Sequence, residues 1–355
     1  MNNRNIVLDI LRGHFLLAVF VDHLSYYVPQ NIFIFYNGYG NLFVSAAEGF
    51  VFISGLLVGI IYKEKIKTLG IKKVYSLLLK RGFKLYLVSS ILTLLFTYWA
   101  IYSNYSKNIG WGYLNTNFYE ILKSVVTFKY FYGWQDILAL YVPLILISPF
   151  IIHLFKHKLW PVVIVTSLIV WGLTFKRVYC SYYCISYFDL ASWQLIYILG
   201  LTIGFYNNKI KQVIKFIRFK KIINITLFLT FLLSLVLSIM VVYYKFLHSY
   251  IDLINLIFNK PTLGIGRLIL FFNWFYIYYI FINKFKDKII KYLGFIYLTF
   301  GKNSLLTYTV QAFLLYFVYF LPLPKSYIGS SLFSIFYIFV LYAVVLFLNK
   351  LKIKI

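Results

Sequence analysis

The sequence places ionisable side chains inside long apolar runs, where a charge is costly. The first run holds Arg12, Asp22 and His23, the second holds Glu48, and the eighth holds Arg267. On insertion scales a charge at the centre of a membrane span costs about 2.5–3.5 kcal/mol, so its presence indicates function. A histidine can take a proton from a hydroxyl group near neutral pH. These residue types predict acid–base chemistry on a substrate held within the membrane.

A histidine acting as a base needs a carboxylate that orients its ring. Asp22 adjoins His23, but neighbouring side chains on a helix do not face each other. Glu48 or Asp136, from other apolar runs, is therefore the better candidate. His23, Glu48 and Asp136 each also have a purely structural interpretation. His23 can bond to a backbone carbonyl, Glu48 can pair with Arg267, and Asp136 can be an N-cap.

The elements that must position these residues are membrane helices. Hydrophobic residues make up 62% of the 355 residues and charged residues 12%, whereas roughly a quarter of an ordinary globular domain is charged. Each apolar run is long enough to cross a hydrocarbon core of about 30 Å. We predict an all-α, polytopic membrane protein in which residues 1–355 form one transmembrane domain. The ten predicted spans are 6–28, 42–62, 83–102, 137–155, 159–175, 191–206, 222–244, 263–282, 304–321 and 332–348.

The distribution of Lys and Arg predicts the orientation. The loops after the second, fourth, sixth and eighth spans and the C-terminal tail are basic, and the other loops contain little Lys or Arg. Because basic loops stay on the cytoplasmic side, both termini are predicted to be cytoplasmic. These clusters account for the net charge of +26. They favour a lipid bilayer as the partner and argue against nucleic acid.

This orientation sorts the polar residues into two layers. The outer layer contains His23, Glu48, Asp136, Gln194 and Arg267, and the inner layer contains Asp9, Arg12, Arg81, Lys84 and Asn303. The inner cations suit an anionic donor. For Arg81 and Lys84 the alternative is ordinary membrane anchoring, and for Arg12 it is an i,i+3 pair with Asp9. His14 is read as structural.

Two outer loops have features of their own. The longer loop contains an amphipathic stretch, 118–130, which is either a surface helix without a catalytic part or a lid or platform for the acceptor. In the other loop, Cys180 and Cys184 lie four residues apart. The sequence does not distinguish a disulfide between them from two free thiols. The cysteines have no metal-binding spacing.

Several motifs resemble one family. Residues 8–13 read Leu-Asp-Ile-Leu-Arg-Gly, Asp22 and His23 follow, and residues 45–55 read Ser-Ala-Ala-Glu-Gly-Phe-Val-Phe-Ile-Ser-Gly. Later matching positions are Arg81, Leu85, Tyr86, Asp136, Trp193, Gln194, Gly200, Arg267, Gly301 and Ser304. Together they resemble the OpgC-type family, the osmoregulated periplasmic glucan succinyltransferases. That family lies within the acyltransferase-3 superfamily of membrane acyltransferases, whose first span has Arg and His separated by ten residues.

The resemblance implies transfer of a succinyl or acetyl group from cytoplasmic acyl-CoA to a hydroxyl of an extracytoplasmic glycan. The expected location is the cytoplasmic (inner) membrane of a bacterium. Acyl-CoA is a co-substrate, and no bound cofactor or metal is expected. The implied roles are catalytic for His23, Glu48, Asp136 and Asp22, donor-binding for Arg12, Arg81, Lys84 and Asn303, and acceptor-binding or oxyanion-stabilising for Trp193, Gln194 and Arg267. An acyl-histidine intermediate is the other implied route.

A transporter or flippase of a lipid-linked or small anionic substrate is the competing function. It would share the membrane spans, the basic loops and the buried charges. Transporters often have two halves with matching interrupted helices, and the sequence has no such repeat. A transporter would not consume acyl-CoA, so thioester turnover separates the two hypotheses.

Overall fold

The structure is a computed structural model of the chain. It describes residues 5–33, 42–103, 110–111, 117–175, 184–185, 188–208, 210, 212, 220–246 and 248–352. Cys180 lies outside the described residues, so the structure does not test whether Cys180 and Cys184 form a disulfide. The described residues are mainly helical, as the all-α prediction requires.

Thirteen α-helices occur in the described part of the chain. They are α1 (Ile6–Tyr27), α2 (Ala46–Leu69), α3 (Ile71–Tyr102), α4 (Phe118–Val126), α5 (Asp136–Lys156), α6 (Trp160–Thr174), α7 (Leu190–Phe205), α8 (Lys220–Tyr244), α9 (Ile251–Ile257), α10 (Ile265–Lys284), α11 (Lys286–Lys302), α12 (Ser304–Val318) and α13 (Tyr327–Lys350). Two short antiparallel pairs join β1 (Gly110–Trp111) to β2 (Phe131–Tyr132) and β3 (Cys184–Ile185) to β4 (Phe188–Asp189).

A helix occupies most of each of the ten predicted spans. Within the described residues, α2, α3, α5, α8, α10 and α13 are long and apolar enough to cross a membrane. Helices α6, α7 and α12 are apolar but shorter. Helix α1 has 22 residues, and its charged residues Asp9, Arg12 and Asp22 lower its mean hydropathy. The chain is therefore a membrane protein, while the count of ten spans and the cytoplasmic termini stay predictions.

Two segments predicted as basic loops are helical. Helix α2 ends before Gly70 and α3 begins directly after it, so the lysines between the second and third predicted spans lie on helix ends. Gly70 has a φ of 76°, which glycine adopts without steric cost. Helix α3 has 32 residues, or about 48 Å, so it can extend beyond the hydrocarbon core. Helix α11 occupies the other predicted loop.

The predicted amphipathic stretch is partly helical. It contains α4, in which Ile121 and Val125 lie one turn apart and are buried, while Phe118 and Tyr119 are exposed. Ile121 and Val125 therefore pack against protein, whereas Tyr119, on the opposite side of α4, does not. This arrangement fits a surface helix, and a role as a lid stays a prediction.

The chain forms two compact units. The first contains Met1–Phe50, Arg218–Phe258 and Gly264–Ile355, and the second contains Val51–Ile217 and Asn259–Leu263. The family resemblance covers both, and the prediction of one transmembrane domain stays a prediction.

In the first unit, α1 packs most extensively against α11. The two backbones touch at two glycines. A Cβ atom on Gly13 would overlap the carbonyl oxygen of Tyr297, and one on Gly301 would overlap that of Asp9. Small residues at such crossings allow close packing of membrane helices. This contact fixes α1, which carries the predicted base His23 and the predicted donor-binding residue Arg12.

In the second unit, two Gly-xxx-Gly pairs face each other. Gly55 and Gly59 lie on α2, and Gly200 and Gly204 lie on α7. A Cβ atom on any of the four would overlap backbone atoms of the opposite helix. The α2–α7 crossing therefore depends on the absence of side chains at these positions.

We expect Gly200→Ala to destabilise the protein by about 1–3 kcal/mol, because the added methyl group forces α7 away from α2. The measurement is thermal unfolding of the purified protein in detergent. Gly172→Ala on α6 is the matched control, because a Cβ atom there meets nothing within 4 Å. That control should be neutral or gain up to about 1 kcal/mol from helix propensity. A Gly200→Ala protein that melts no lower than the wild type would contradict the packing argument.

Candidate functional site

Arg12 is held near the N-terminal end of α1. Its Nη2 donates a hydrogen bond to the Oγ of Ser304 at the start of α12, and its Nη1 lies 3.9 Å from Asp9 Oδ1. Asn303, next to Ser304, donates from Nδ2 to the carbonyl oxygen of Thr299 at 3.0 Å. The structure thus brings Arg12 and Asn303 into one region. It also contains the Asp9–Arg12 pair that the sequence left open as an alternative.

Glu48 and Arg267 form a buried ion pair, with exposures of 0% and 2%. The Nε of Arg267 contacts Glu48 Oε1, and its Nη1 donates to the carbonyl oxygens of Leu42 and Phe258, both at 3.3 Å. Glu48 Oε2 accepts from the backbone N–H of Ser45 at 3.0 Å and from its hydroxyl at 2.5 Å. Both oxygens of Glu48 are therefore engaged in structural contacts.

The sequence left two interpretations open for Glu48, and its ion pair with Arg267 is one of them. Two buried charges compensate for their lost hydration only with good geometry and further hydrogen bonds. Four such bonds are present here, while Nη2 of Arg267 is buried with no hydrogen-bond partner among the described residues. The pair ties the start of α2 to the start of α10. A contact between Glu48 and His23 stays a prediction.

A cavity lies beside α1 in the first unit. From α1 it is lined by His14, Ala18 and Asp22, which are spaced by four residues and so share one face of the helix. Helix α10 contributes Phe271, Trp274, Phe275 and Tyr278, and the other lining residues are Phe15, Val44, Ser45, Ala46 and Gly49. The cavity is therefore mainly aromatic, with a histidine, a carboxylate and a hydroxyl in its wall.

His14, which the sequence analysis read as structural, lies in the wall of this cavity. Its ring lies 5.4 Å from that of Tyr278 and 5.7 Å from that of Tyr297, measured between centroids. His14 and Asp22 are eight residues apart, which puts both on one helical face.

His23 lies on a different face of α1. At about 100° per residue, Arg12 and His23 differ by only about 20° around the helix axis. Asp22 faces the cavity, whereas His23 is not among the described residues that line it. His23 is partly buried. The structure thus agrees with the expectation that Asp22 and His23 point in different directions.

The remaining predicted residues belong to the second unit. Asp136 is buried, and its Oδ1 accepts from the backbone N–H of Ile137 at 2.8 Å. Gln135 is the N-cap, so Asp136 is one residue inside α5 and not the cap. A carboxylate there still interacts favourably with the helix dipole. Arg81 is partly buried and Lys84 is exposed, both in the early turns of α3.

Trp193 and Gln194 hold parts of the second unit together. The indole N–H of Trp193 donates to the carbonyl oxygens of Pro261 at 3.1 Å and Lys260 at 3.3 Å. Gln194 Oε1 accepts from the hydroxyl of Ser167 at 2.7 Å, and its Nε2 donates to the Ser167 carbonyl oxygen at 2.9 Å. Both polar ends of Gln194 therefore contact α6. A role of either residue in acceptor binding stays a prediction.

Comparison with known proteins gives one match. The family model described as OpgC protein matches residues 4–353, nearly the whole chain. No curated protein and no solved structure shows significant similarity to the chain.

We expect Glu48→Gln to destabilise the protein by about 3–5 kcal/mol, because it leaves the Arg267 guanidinium buried without its counter-charge. The measurement is denaturant-induced unfolding in detergent. Glu64→Gln is the matched control, because Glu64 forms an exposed pair with Lys67 at 3.0 Å, and such pairs contribute less than about 1 kcal/mol. Equal effects of the two substitutions would show that the buried pair does not stabilise the fold.

Proposed function

The chain belongs to the OpgC protein family, and from this membership we propose that it is a membrane O-acyltransferase. Membership implies a transferase, and the apolar helices make the chain a membrane protein. The proposed reaction moves a succinyl or acetyl group from cytoplasmic acyl-CoA to a hydroxyl of an extracytoplasmic glycan. The proposed location is the cytoplasmic membrane of a bacterium. The observation that carries the proposal is the family match over nearly the whole chain.

His23 is the proposed general base. The proton of the acceptor hydroxyl moves to the imidazole as the hydroxyl oxygen bonds to the thioester carbonyl carbon. The carbon–sulfur bond then breaks, and the imidazolium returns the proton to the thiolate, so CoA leaves as a free thiol. In the other route, His23 attacks the same carbon first, the carbon–sulfur bond breaks, and CoA leaves as a thiolate. The acceptor hydroxyl then takes the acyl group from the acyl-histidine, and its proton passes through the freed imidazole to the thiolate.

Arg12 is the proposed anchor for the donor phosphates, with Asn303, Arg81 and Lys84 as further donor-binding residues. Arg12 is partly exposed, as contact with a phosphate requires. It shares a face of α1 with His23 and lies about 16 Å from it along the helix axis. An extended pantetheine arm can span that separation. The arrangement supports a donor that is anchored at one end of α1 and reacts near the other.

The outer residues complete the proposal. Asp22 and Asp136 are the acidic groups proposed to support His23, together with Glu48 through its position at the start of α2. Trp193 and Gln194 are proposed to bind the acceptor or stabilise the oxyanion. Because Arg267 is buried and paired with Glu48, we assign it a positioning role rather than direct contact.

We expect His23→Ala to lower thioester consumption by about 10²–10⁴-fold, because general-base catalysis contributes that range. The assay reconstitutes the protein in liposomes with a glucan acceptor and follows free thiol from acetyl-CoA and succinyl-CoA. His157→Ala is the matched control, because that histidine is exposed at the C-terminal end of α5. A folded wild type that consumes neither thioester would favour the transporter. Full activity in His23→Ala would remove this histidine from the mechanism.

Arg12→Gln should raise the KM for acyl-CoA with a smaller change in kcat, because the lost contact holds the donor before and during the reaction. The same thiol assay over a range of donor concentrations measures this effect. Lys67→Gln, an exposed cation on α2, serves as control and should leave both constants unchanged. A fall in kcat at unchanged KM would place Arg12 at the reacting atoms instead.

A further inference from the structure

An apolar groove lies in the second unit, between α5, α6 and α7. Its lining is mostly aliphatic and includes Pro143, Ile147, Leu154, Val162, Val170 and Ile198. Its volume is about 630 Å³, within the range of about 300–1,000 Å³ that is usual for a ligand site. The groove is therefore large enough to hold a ligand, and it offers that ligand mainly apolar contacts.

The polar side chains of the groove wall are largely satisfied by the protein. Ser167 Oγ donates to Gln194 Oε1 at 2.7 Å, and Gln194 Nε2 donates to the carbonyl oxygen of Ser167 at 2.9 Å. None of the described residues in the lining is charged. A sugar or a carboxylate in the groove would therefore lose hydration and gain few hydrogen bonds, whereas a hydrocarbon chain loses none.

The length of the groove matches one leaflet of a bilayer. Pro143 and Leu154 are eleven residues apart on α5, or about 16 Å at 1.5 Å per residue. The hydrocarbon core of a bilayer is about 30 Å thick, so one leaflet contributes about half of it. Phe150 and Val162 line the groove and are also exposed, so the groove is open at the surface. These dimensions suit an acyl chain of a lipid in one leaflet.

A basic turn lies at one end of the groove. Helix α5 ends two residues after Leu154, and α6 begins at Trp160. Between Asp136 and Asp189 the sequence contains neither Asp nor Glu. The basic turn consists of four exposed residues, His153, Lys156, His157 and Lys158. This end of the groove therefore carries positive charge and no nearby carboxylate along the chain.

Helix α3 adds cations at the same end. The hydroxyl of Tyr75 and Nδ1 of His153 share a hydrogen bond at 2.8 Å. Lys72 and Lys73 precede Tyr75 on α3 within one helical turn, and both are exposed. Cationic side chains of two helices thus lie at the end of the groove, where they can attract an anionic group.

Lys158 occupies a backbone position that favours glycine. Its φ is 62°, and its N–H donates to the carbonyl oxygen of Phe155 at 3.1 Å, while that of Leu159 donates to Leu154 at 2.9 Å. This pattern is the Schellman motif, in which glycine is the usual residue because a Cβ atom is strained in the left-handed conformation. The conformation of the turn does not explain a lysine here, whereas its charge does.

Two aromatic side chains mark the membrane interface at the basic turn. Trp160 is exposed at the first position of α6, and its ring lies 6.3 Å from that of Tyr206, measured between centroids. The hydroxyl of Tyr206 donates to the carbonyl oxygen of Phe155 at 3.0 Å. Trp and Tyr are enriched at the level of the lipid headgroups. The basic turn is therefore at headgroup level, and the groove extends from it into the hydrocarbon.

We propose that the groove binds one acyl chain of an anionic phospholipid whose phosphate lies on the basic turn. Chain and headgroup then contact adjoining parts of the second unit, so the bound lipid stabilises the packing of α5, α6 and α7. The inference is independent of the proposed acyltransferase reaction, because it involves neither the donor nor the acceptor. The competing explanation is that these cations only anchor the helices to an anionic membrane surface, which requires no groove.

The first test measures the headgroup preference of the wild type. The full-length protein is purified in an uncharged detergent, freed of lipid, and titrated with phosphatidylglycerol or phosphatidylcholine of identical acyl chains. Native mass spectrometry gives the dissociation constant of the first bound lipid. We expect phosphatidylglycerol to bind about tenfold more tightly, because lysines near the headgroup attract its net negative charge. Equal affinities would overturn the proposal.

The second test removes the charge of the basic turn. The double variant Lys156→Gln/Lys158→Gly should bind both lipids with similar affinity, which is a loss of about tenfold for phosphatidylglycerol alone. Glycine at position 158 keeps the left-handed turn, so the variant should fold at least as well as the wild type. Lys350→Gln, which removes an exposed cation at the end of α13, is the matched control and should keep the preference. A preference that survives in the double variant would place the headgroup elsewhere and contradict the proposal.

The third test fills the groove. Val162 and Val165 are both on α6 and are 56% and 54% exposed, but only Val162 is among the described residues that line the groove. Val162→Trp should weaken the first binding step of both lipids by at least about tenfold, and Val165→Trp should not. Phosphatidylglycerol should raise the melting temperature of Val165→Trp and leave that of Val162→Trp unchanged.

Melting of the lipid-free proteins shows whether both tryptophan variants are folded. If the two folded variants bind lipid equally well, the groove holds no acyl chain, and the cations act only as membrane anchors. If Val162→Trp does not fold, Thr166→Leu, at another lining position of α6, replaces it. That substitution makes the wall more apolar and should tighten the binding of both lipids, so weaker binding would overturn the proposal.

Discussion

The close contact between α1 and α11 determines where the polar side chains of α1 lie. Gly13 rests against the carbonyl oxygen of Tyr297, and Gly301 rests against that of Asp9. Lipid tails are as apolar as leucine, so membrane helices associate through close packing and hydrogen bonds rather than through the hydrophobic effect. Because α12 follows α11 after a single residue, this crossing also brings Ser304 to Arg12. The close approach at Gly13 and Gly301 thus helps to place Arg12 beside Ser304.

The buried pair of Glu48 and Arg267 links the start of α2 to the start of α10. It brings together a carboxylate and a guanidinium that would each be costly to bury alone. Ser45 bonds to Glu48 and also lines the cavity beside α1. The ion pair therefore helps to hold part of the cavity wall in place.

The sequence was sufficient for the features that follow from local composition. Apolar runs of about 20 residues identified a helix in each of ten places, because a helix is the way such a run satisfies its backbone inside a bilayer. The prediction was wrong for the segment that forms α11, because the lysines of this segment were taken as evidence for a loop. Lysine can lie on a helix whose other face is packed, with its charge in water. Gly294, Phe300 and Gly301 are buried on α11, and their helical spacing was the signal available.

From the sequence, contacts between distant residues could be proposed only as one of several alternatives. Glu48 and Arg267 are 219 residues apart, and nothing local distinguishes their ion pair from a contact of Glu48 with His23. The family motif likewise draws attention to the face of α1 with Arg12 and His23, whereas His14 and Asp22 lie on another face. Asp22 and His23 are consecutive residues, which point apart by about 100° but share one turn of the helix. The cavity face and the motif face of α1 therefore adjoin at these two residues. The spacing of the family motif alone does not show this, because it contains no residue that lines the cavity.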